Sequence, residues 1–218
     1  MRLFRVFSVV ACCGLLLAAG SASANLIGNG DFESGAVGFT SQYDFALDND
    51  GTTAEFTVSN EPSLWNPSFE NPSPSGHMLV ANGSESVHDS VWGTTLDVVA
   101  GRSYEVWFDA VSLSGETNES RLRFYASLDP DDPIAATAVA TADLKDSDSE
   151  WVTGNGSFNA DETGTISVFI NSLEQSADGN DFAIDNVTVV PEPSSLALIG
   201  IGSLIGLGLY TRRRRRNA

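Results

Sequence analysis

Three side chains in the middle of the chain have the type and spacing to grip a sugar ring: Trp107, Arg123 and Tyr125. Around the first, Tyr104, Val106, Phe108 and Ala110 alternate with Glu105, Trp107, Asp109 and Val111. Around the others, Leu122, Phe124, Ala126 and Leu128 alternate with Arg121, Arg123, Tyr125 and Ser127. A period of two belongs to a strand whose successive side chains point to opposite faces. If Tyr104 and Phe108 face inward, Trp107 faces out, and Arg123 and Tyr125 do the same on their own strand. An exposed aromatic face suits a pyranose ring, and neighbouring polar groups hold its hydroxyls. The competing reading is packing, because a Trp in a two-layer sandwich commonly lies beneath a long loop. Trp65 and Trp92 are rival contact residues, whereas Trp151 is expected to start a strand and pack.

Catalysis has little support. His77 and His88 are the only histidines, and neither has metal-ligand spacing or a triad context. No Gly-x-Ser-x-Gly or phosphate-cradling loop is present. A carboxylate pair of the glycosidase kind could be drawn among the 28 acids between Asn25 and Val190, but any choice would be arbitrary. Asp48-Asn49-Asp50-Gly51 superficially matches a calcium loop. Ala46 takes its first ligand position and Thr57 the twelfth, where an acid is required, so it reads as a turn.

Charge narrows the partners. Against those 28 acids stand only Arg102, Arg121, Arg123 and Lys145, a net charge of −24 over 166 residues. Such a surface repels phosphate backbones, which excludes nucleic acid as a partner. The length suffices for one domain with a core.

The elements expected to position the candidates are short strands separated by Gly, Asn, Asp and Pro clusters, the pattern of an all-β, two-sheet β-sandwich. Ile166, Val168 and Ile170 mark another strand. Further strands are expected over 54–59, 77–81, 96–99, 136–140, 150–158 and 182–189, with loops over 61–76 and 129–133. Residues 135–142 are the one place where a short helix competes. In the last strand the apolar parity slips: Phe182 and Ile184 share one phase, Val187 and Val189 the other. A bulge beside Asp185 would account for it.

The two ends read as addresses. Arg2 and Arg5 precede an apolar run from Val6 to Ala19, closed by Ala22-Ser23-Ala24, so residues 1–24 form a signal peptide for the Sec machinery and signal peptidase. Cleavage after Ala24 removes Cys12 and Cys13, the only cysteines, leaving no disulfide or thiol chemistry. Processing ahead of Cys12 as a lipoprotein, or an uncleaved anchor, are weaker alternatives. At the far end Leu196 to Tyr210 gives fifteen residues without a charge. At the helical rise these reach about 23 Å, short of the ~30 Å hydrocarbon core. A transmembrane helix over about 194–211 closes the difference by using Ser194, Ser195 and Thr211, with Arg212, Arg213, Arg214, Arg215 and Arg216 snorkelling on the cytoplasmic side.

Val190-Pro191-Glu192-Pro193, a Gly-rich apolar stretch and a terminal arginine cluster, in that order, resemble the PEP-CTERM sorting tail. The resemblance covers residues 190–218. It implies a Gram-negative bacterium that makes exopolysaccharide, an exosortase that recognises the Pro-Glu-Pro motif, and a transient single-pass anchor in the cell envelope before release to the surface or extracellular matrix. Prolines at 191 and 193 fix φ and remove two backbone donors, which keeps this segment extended for a processing enzyme.

The ectodomain, 25–189, carries a second resemblance. Asn25-Leu-Ile-Gly-Asn-Gly-Asp-Phe-Glu33 followed by Gly38-Phe39, Ala100-Gly101-Arg-Ser-Tyr104, and Asp181-Phe-Ala-Ile-Asp-Asn-Val-Thr-Val189 are similar to the galactose-binding-like jelly roll of carbohydrate-binding modules. Phe39 stands where that family often has Trp. The resemblance implies a structural calcium between the first and last strands, with Glu33 and Asp185 as matching carboxylates and carbonyls of the Gly28–Asp31 turn completing the set. The expected function is an exported, non-catalytic protein that meets exopolysaccharide. The high negative charge favours neutral or cation-bridged glycans. A structural surface or biofilm protein without glycan affinity is the alternative, and a glycan-processing hydrolase a weaker one.

Overall fold

A computed structural model describes residues 24–49, 51–69, 72, 76–113, 120–127, 136–144, 150–176 and 180–192. Of the expected signal peptide 1–24 all but Ala24, together with Pro193, the expected membrane helix 194–211 and the arginines 212–216, lie outside the described residues. Among those described, no helix is long and apolar enough to cross a membrane.

Among the described residues there are ten strands: β1 (Asp44–Phe45), β2 (Glu55–Ser59), β3 (Met78–Ala81), β4 (Ser90–Val98), β5 (Ser103–Ser112), β6 (Arg121–Ser127), β7 (Thr137–Asp143), β8 (Val152–Asn159), β9 (Gly164–Ser172) and β10 (Phe182–Pro191). They form a six-stranded sheet ordered β1-β2-β3-β10-β5-β8 and a four-stranded sheet ordered β4-β9-β6-β7. The expected two-sheet sandwich is therefore the fold.

The alternating runs explain the layers. Tyr104, Val106, Phe108 and Ala110 of β5 and Phe182, Ile184, Val187 and Val189 of β10 are buried. So are Trp92, Leu96 and Val98 of β4, Leu122 and Phe124 of β6, and Ile166, Val168 and Ile170 of β9; all belong to one core. Each such aliphatic or aromatic burial stabilises the fold by roughly 1.5–3 kcal/mol. Buried Tyr104 keeps its hydroxyl satisfied by accepting the Val99 N–H at 2.8 Å. A second cluster lies on the other face of the six-stranded sheet. There Trp65 and Phe69 cover Met78, Val80, Val111, Leu113 and Ala183, with Trp151 packed alongside.

Two expectations need correction. The span 61–76 contains a four-residue helix, α1 (Pro62–Trp65), started by a proline at its N-terminus. The strand expected at 96–99 begins at Ser90, because a register shift between Ser90 and Trp92 lets consecutive Val91 and Trp92 both face the core and hides the alternation. The strand expected at 136–140 is present over 137–143, and the competing helix is not formed there: Ala140 and Ala142 face the core while Thr141 and Asp143 are exposed. At the edge where the sheets meet, a Cβ on Gly156 of β8 would overlap the Val139 carbonyl of β7. Only glycine permits that approach.

Candidate functional site

The outer face of the four-stranded sheet is organised in rows set by strand register. In one row Gly93 of β4, Phe169 of β9 and Tyr125 of β6 stand side by side. Phe169 and Tyr125 stack with ring centroids 5.2 Å apart and planes 16° from parallel, a favourable cross-strand aromatic pair. Gly93 has no side chain, so the surface drops beside Phe169. Segment Gly38–Gln42 forms the facing wall, where Thr40 and Gly93 exchange two backbone hydrogen bonds of 2.8 Å.

The resulting open groove has a volume of about 480 Å³, with Phe169 at its floor and Thr40, Gln42, His88, Ser90, Thr95 and Ser167 among its lining residues. Gln42 Oε1 is held in place by the Ser90 N–H at 2.7 Å and the Ser90 hydroxyl at 2.9 Å. Hydroxyls and amides around an aromatic floor are suited to a hydroxyl-rich ring. The next row contains Asn171 and Arg123, paired across β9 and β6. Buried Asn171 donates to the Val87 carbonyl at 3.1 Å and ties the segment before β4 to the sheet. Arg123 Nε donates to Thr141 Oγ1 at 3.3 Å.

Of the three predicted platform residues, Arg123 and Tyr125 lie together on this face. Trp107 does not join them. It projects from the outer face of the six-stranded sheet, opposite Asn155 of β8, so the sandwich separates it from the other two. Alternation placed each side chain outward correctly; it carries no information about which sheet a strand enters. Trp92 is a core residue packed on Phe124, and Trp65 lies under the 61–69 segment. Phe169 is the partner that sequence reasoning missed. Its outward phase was visible between Val168 and Ile170, but its pairing with Tyr125 depends on register.

Glu33 and Asp185 belong to the other end of the argument. Glu33 Oε1 accepts the His77 N–H at 2.9 Å, and Oε2 lies 3.0 Å from His77 Nδ1. The side-chain bond to His77 holds the Glu33 carboxyl below the usual range, with the backbone bond assisting. Asp185 is pushed up to about 6, first by burial and then by the negative charges of Asp109, Asp31 and Glu33, against the pull of the Asn186 N–H at 2.7 Å. Beside it Asn186 adopts φ of 54°, the left-handed backbone at which the core parity of β10 changes phase. The phase change expected beside Asp185 is therefore present. Asp109 is occupied: Thr153 Oγ1 donates to one oxygen at 2.5 Å and Asn186 Nδ2 to the other at 3.0 Å.

For calcium the donor chemistry fits in part, since Asp109, Asp31 and Glu33 stand near enough to Asp185 for their charges to raise its pKa, and oxygen donors of this kind suit a hard cation. Among the described residues, however, no three acids or histidines converge as a metal cage. Any site there must draw mostly on backbone carbonyls.

Fold and site together define a two-sheet sandwich with an open, aromatic-floored groove. Solved structures with a similar fold include a cyclase from Fischerella sp. in its apo form, at 18% identity and a TM-score of 0.54 over 79% of this chain and 98% of that one. They also include the CBM22-1 xylan-binding domain of Paenibacillus barcinonensis Xyn10C, at 15% identity and a TM-score of 0.50 over 79% and 97%. The EclA C-terminal domain, a sugar-binding protein, aligns over 46% of this chain and 66% of its own at 22% identity, with a TM-score of only 0.38. The shared sandwich thus serves both an enzyme and a binding module, and the architecture alone does not choose between them. No curated protein sequence matches the chain. Residues 189–216 match the PEP-CTERM protein-sorting motif. This motif marks an exported protein, anchored at the cell envelope through its C-terminal region and processed by an exosortase.

Proposed function

We propose that this is a non-catalytic glycan-binding protein, exported and then sorted through its PEP-CTERM tail, whose ectodomain holds exopolysaccharide on the outer face of the four-stranded sheet. The observation that carries this reading is the Tyr125–Phe169 stack beside a groove lined by hydroxyls and amides. Aromatic faces supply apolar area to a sugar ring, and fixed polar groups such as Gln42 supply orientation. The likeness to a xylan-binding domain supports the fold that presents this face. A calcium ion bridging Glu33, Asp185 and turn carbonyls belongs to the same proposal as a structural element distant in role from the groove.

The test is a glycan array with three proteins. Tyr125→Ala is expected to weaken the retained glycan by about tenfold or more, the loss typical of a buried aromatic anchor. Trp107→Ala, on the opposite sheet, is expected to leave it unchanged. Loss with Trp107→Ala alone would move the site to the six-stranded sheet, and silence of the wild type on every glycan would leave a structural surface protein. Turnover of any glycan would restore the hydrolase reading.

A further inference from the structure

We infer that the sheet face beside the groove selects an acidic glycan, one whose sugar ring lies against Tyr125 while its carboxylate is gripped by Arg123; this rests on the glycan-binding reading above. About one residue in six between Asn25 and Val190 is acidic, yet none of the twelve residues lining the groove is. The nearby acids are turned to other partners. Asp89, between lining residues His88 and Ser90, accepts the Ser84 hydroxyl at 3.0 Å. Asp97, beyond Thr95 on β4, accepts the Thr165 hydroxyl at 2.8 Å. Asp143, at the far edge on β7, is paired with Arg121 at 2.6 Å.

Arg123 is different from its neighbour. Arg121 is neutralised by Asp143, whereas among the described residues no carboxylate pairs with Arg123, which spends only Nε on the neutral hydroxyl of Thr141. Its remaining donors form the fork that matches a carboxylate bidentately. Arg123 is also half-buried, which strengthens such a contact relative to an exposed one. It lies two residues from Tyr125 on the same strand face, a separation of about 7 Å. That is about the distance from the centre of a stacked pyranose, through an exocyclic carboxylate, to a hydrogen-bond donor.

The domain's charge of −24 opposes this ligand only at long range. At physiological ionic strength the screening length is about 8 Å, so a direct Arg–carboxylate contact survives where the diffuse field does not. An acid-free groove beside an arginine that no carboxylate among the described residues pairs with is therefore a local exception that selects for negative charge rather than against it.

The experiment titrates the full chain in detergent micelles with oligogalacturonate and with a neutral galactose oligosaccharide of equal length, in the presence and absence of EDTA. The expected result is tighter binding of the uronide by about tenfold, retained in EDTA. Arg123→Gln brings uronide affinity down to the neutral value, and Arg123→Lys recovers only part of the difference because a point charge lacks the fork. Equal affinity for both oligosaccharides, with no effect of Arg123→Gln, overturns the charge selection and leaves glycan binding standing. Uronide binding that EDTA abolishes and Arg123→Gln does not touch overturns direct contact in favour of a bridging ion. Binding of neither oligosaccharide overturns both inferences.

Discussion

Asp185 is a residue whose environment works against its charge. Its folded-state pKa of about 6 lies above the unfolded value, so the folded state binds more protons between pH 4 and 6. Its contribution to stability is fully present below the unfolded pKa and is lost as pH rises through about 6. Without divalent ions, Asp185→Asn should therefore raise the melting temperature at pH 7 and flatten its pH dependence in that window. Glu33 has the opposite sign: its lowered pKa gives a contribution present at neutral pH and lost as pH falls into the carboxylate range. Calcium inverts the outcome at Asp185. If the ion is bound there, millimolar calcium should raise the melting temperature of the wild type, and Asp185→Asn should abolish that rise. A wild-type protein indifferent to both calcium and chelator removes the proposed ion.

At the scale of elements, close approach at a few points decides whether the layers fit. The Gly28–Asp31 turn docks against β10, where the Val187 N–H donates to the Gly30 carbonyl at 2.8 Å. Where β7 crosses β8, Gly156 admits the Val139 carbonyl. Gly156→Ala should force the two edges apart and cost about 1–3 kcal/mol, the usual range for overpacking, seen as an earlier urea midpoint with an unchanged slope. An unaffected midpoint would show that the strands shift freely there. The strands themselves were largely legible, because β5, β6 and β9 alternate cleanly and each carries its apolar set to one face. The start of β4 was not legible, since its bulge breaks the period. Two-residue β1 was missed because Asp44 and Phe45 are both exposed and leave no apolar pattern.

For the molecule as a whole, the two termini bracket one folding unit. Asn25–Val190 is compact in itself, and Asn25 Oδ1 accepts both the Ile27 and Val189 N–H groups at 3.0 Å. The first residues of the ectodomain are thus clipped to its last strand, and β10 ends at Pro191, the first proline of the sorting motif. Deleting the arginines 212–216 should remove the cytoplasmic stop and send a different mature mass to a different culture fraction. Identical mass and fractionation with and without them would count against a role for the cluster in sorting.

Composition and order alone determined the C-terminal address and the fold class. The Pro-Glu-Pro motif, the uncharged stretch and the arginine cluster are contiguous, and a period of two is a local property that needs no partner to be read. The parity slip at Asp185 was likewise local, and Asn186 in left-handed geometry is its structural form. Only the tertiary structure decided that Trp107 and Tyr125 stand on opposite sheets, and that Phe169 completes the aromatic pair. The physical reason is that a strand's own sequence sets which way its side chains point, while the neighbours they meet come from hydrogen-bond register with strands far away in the chain.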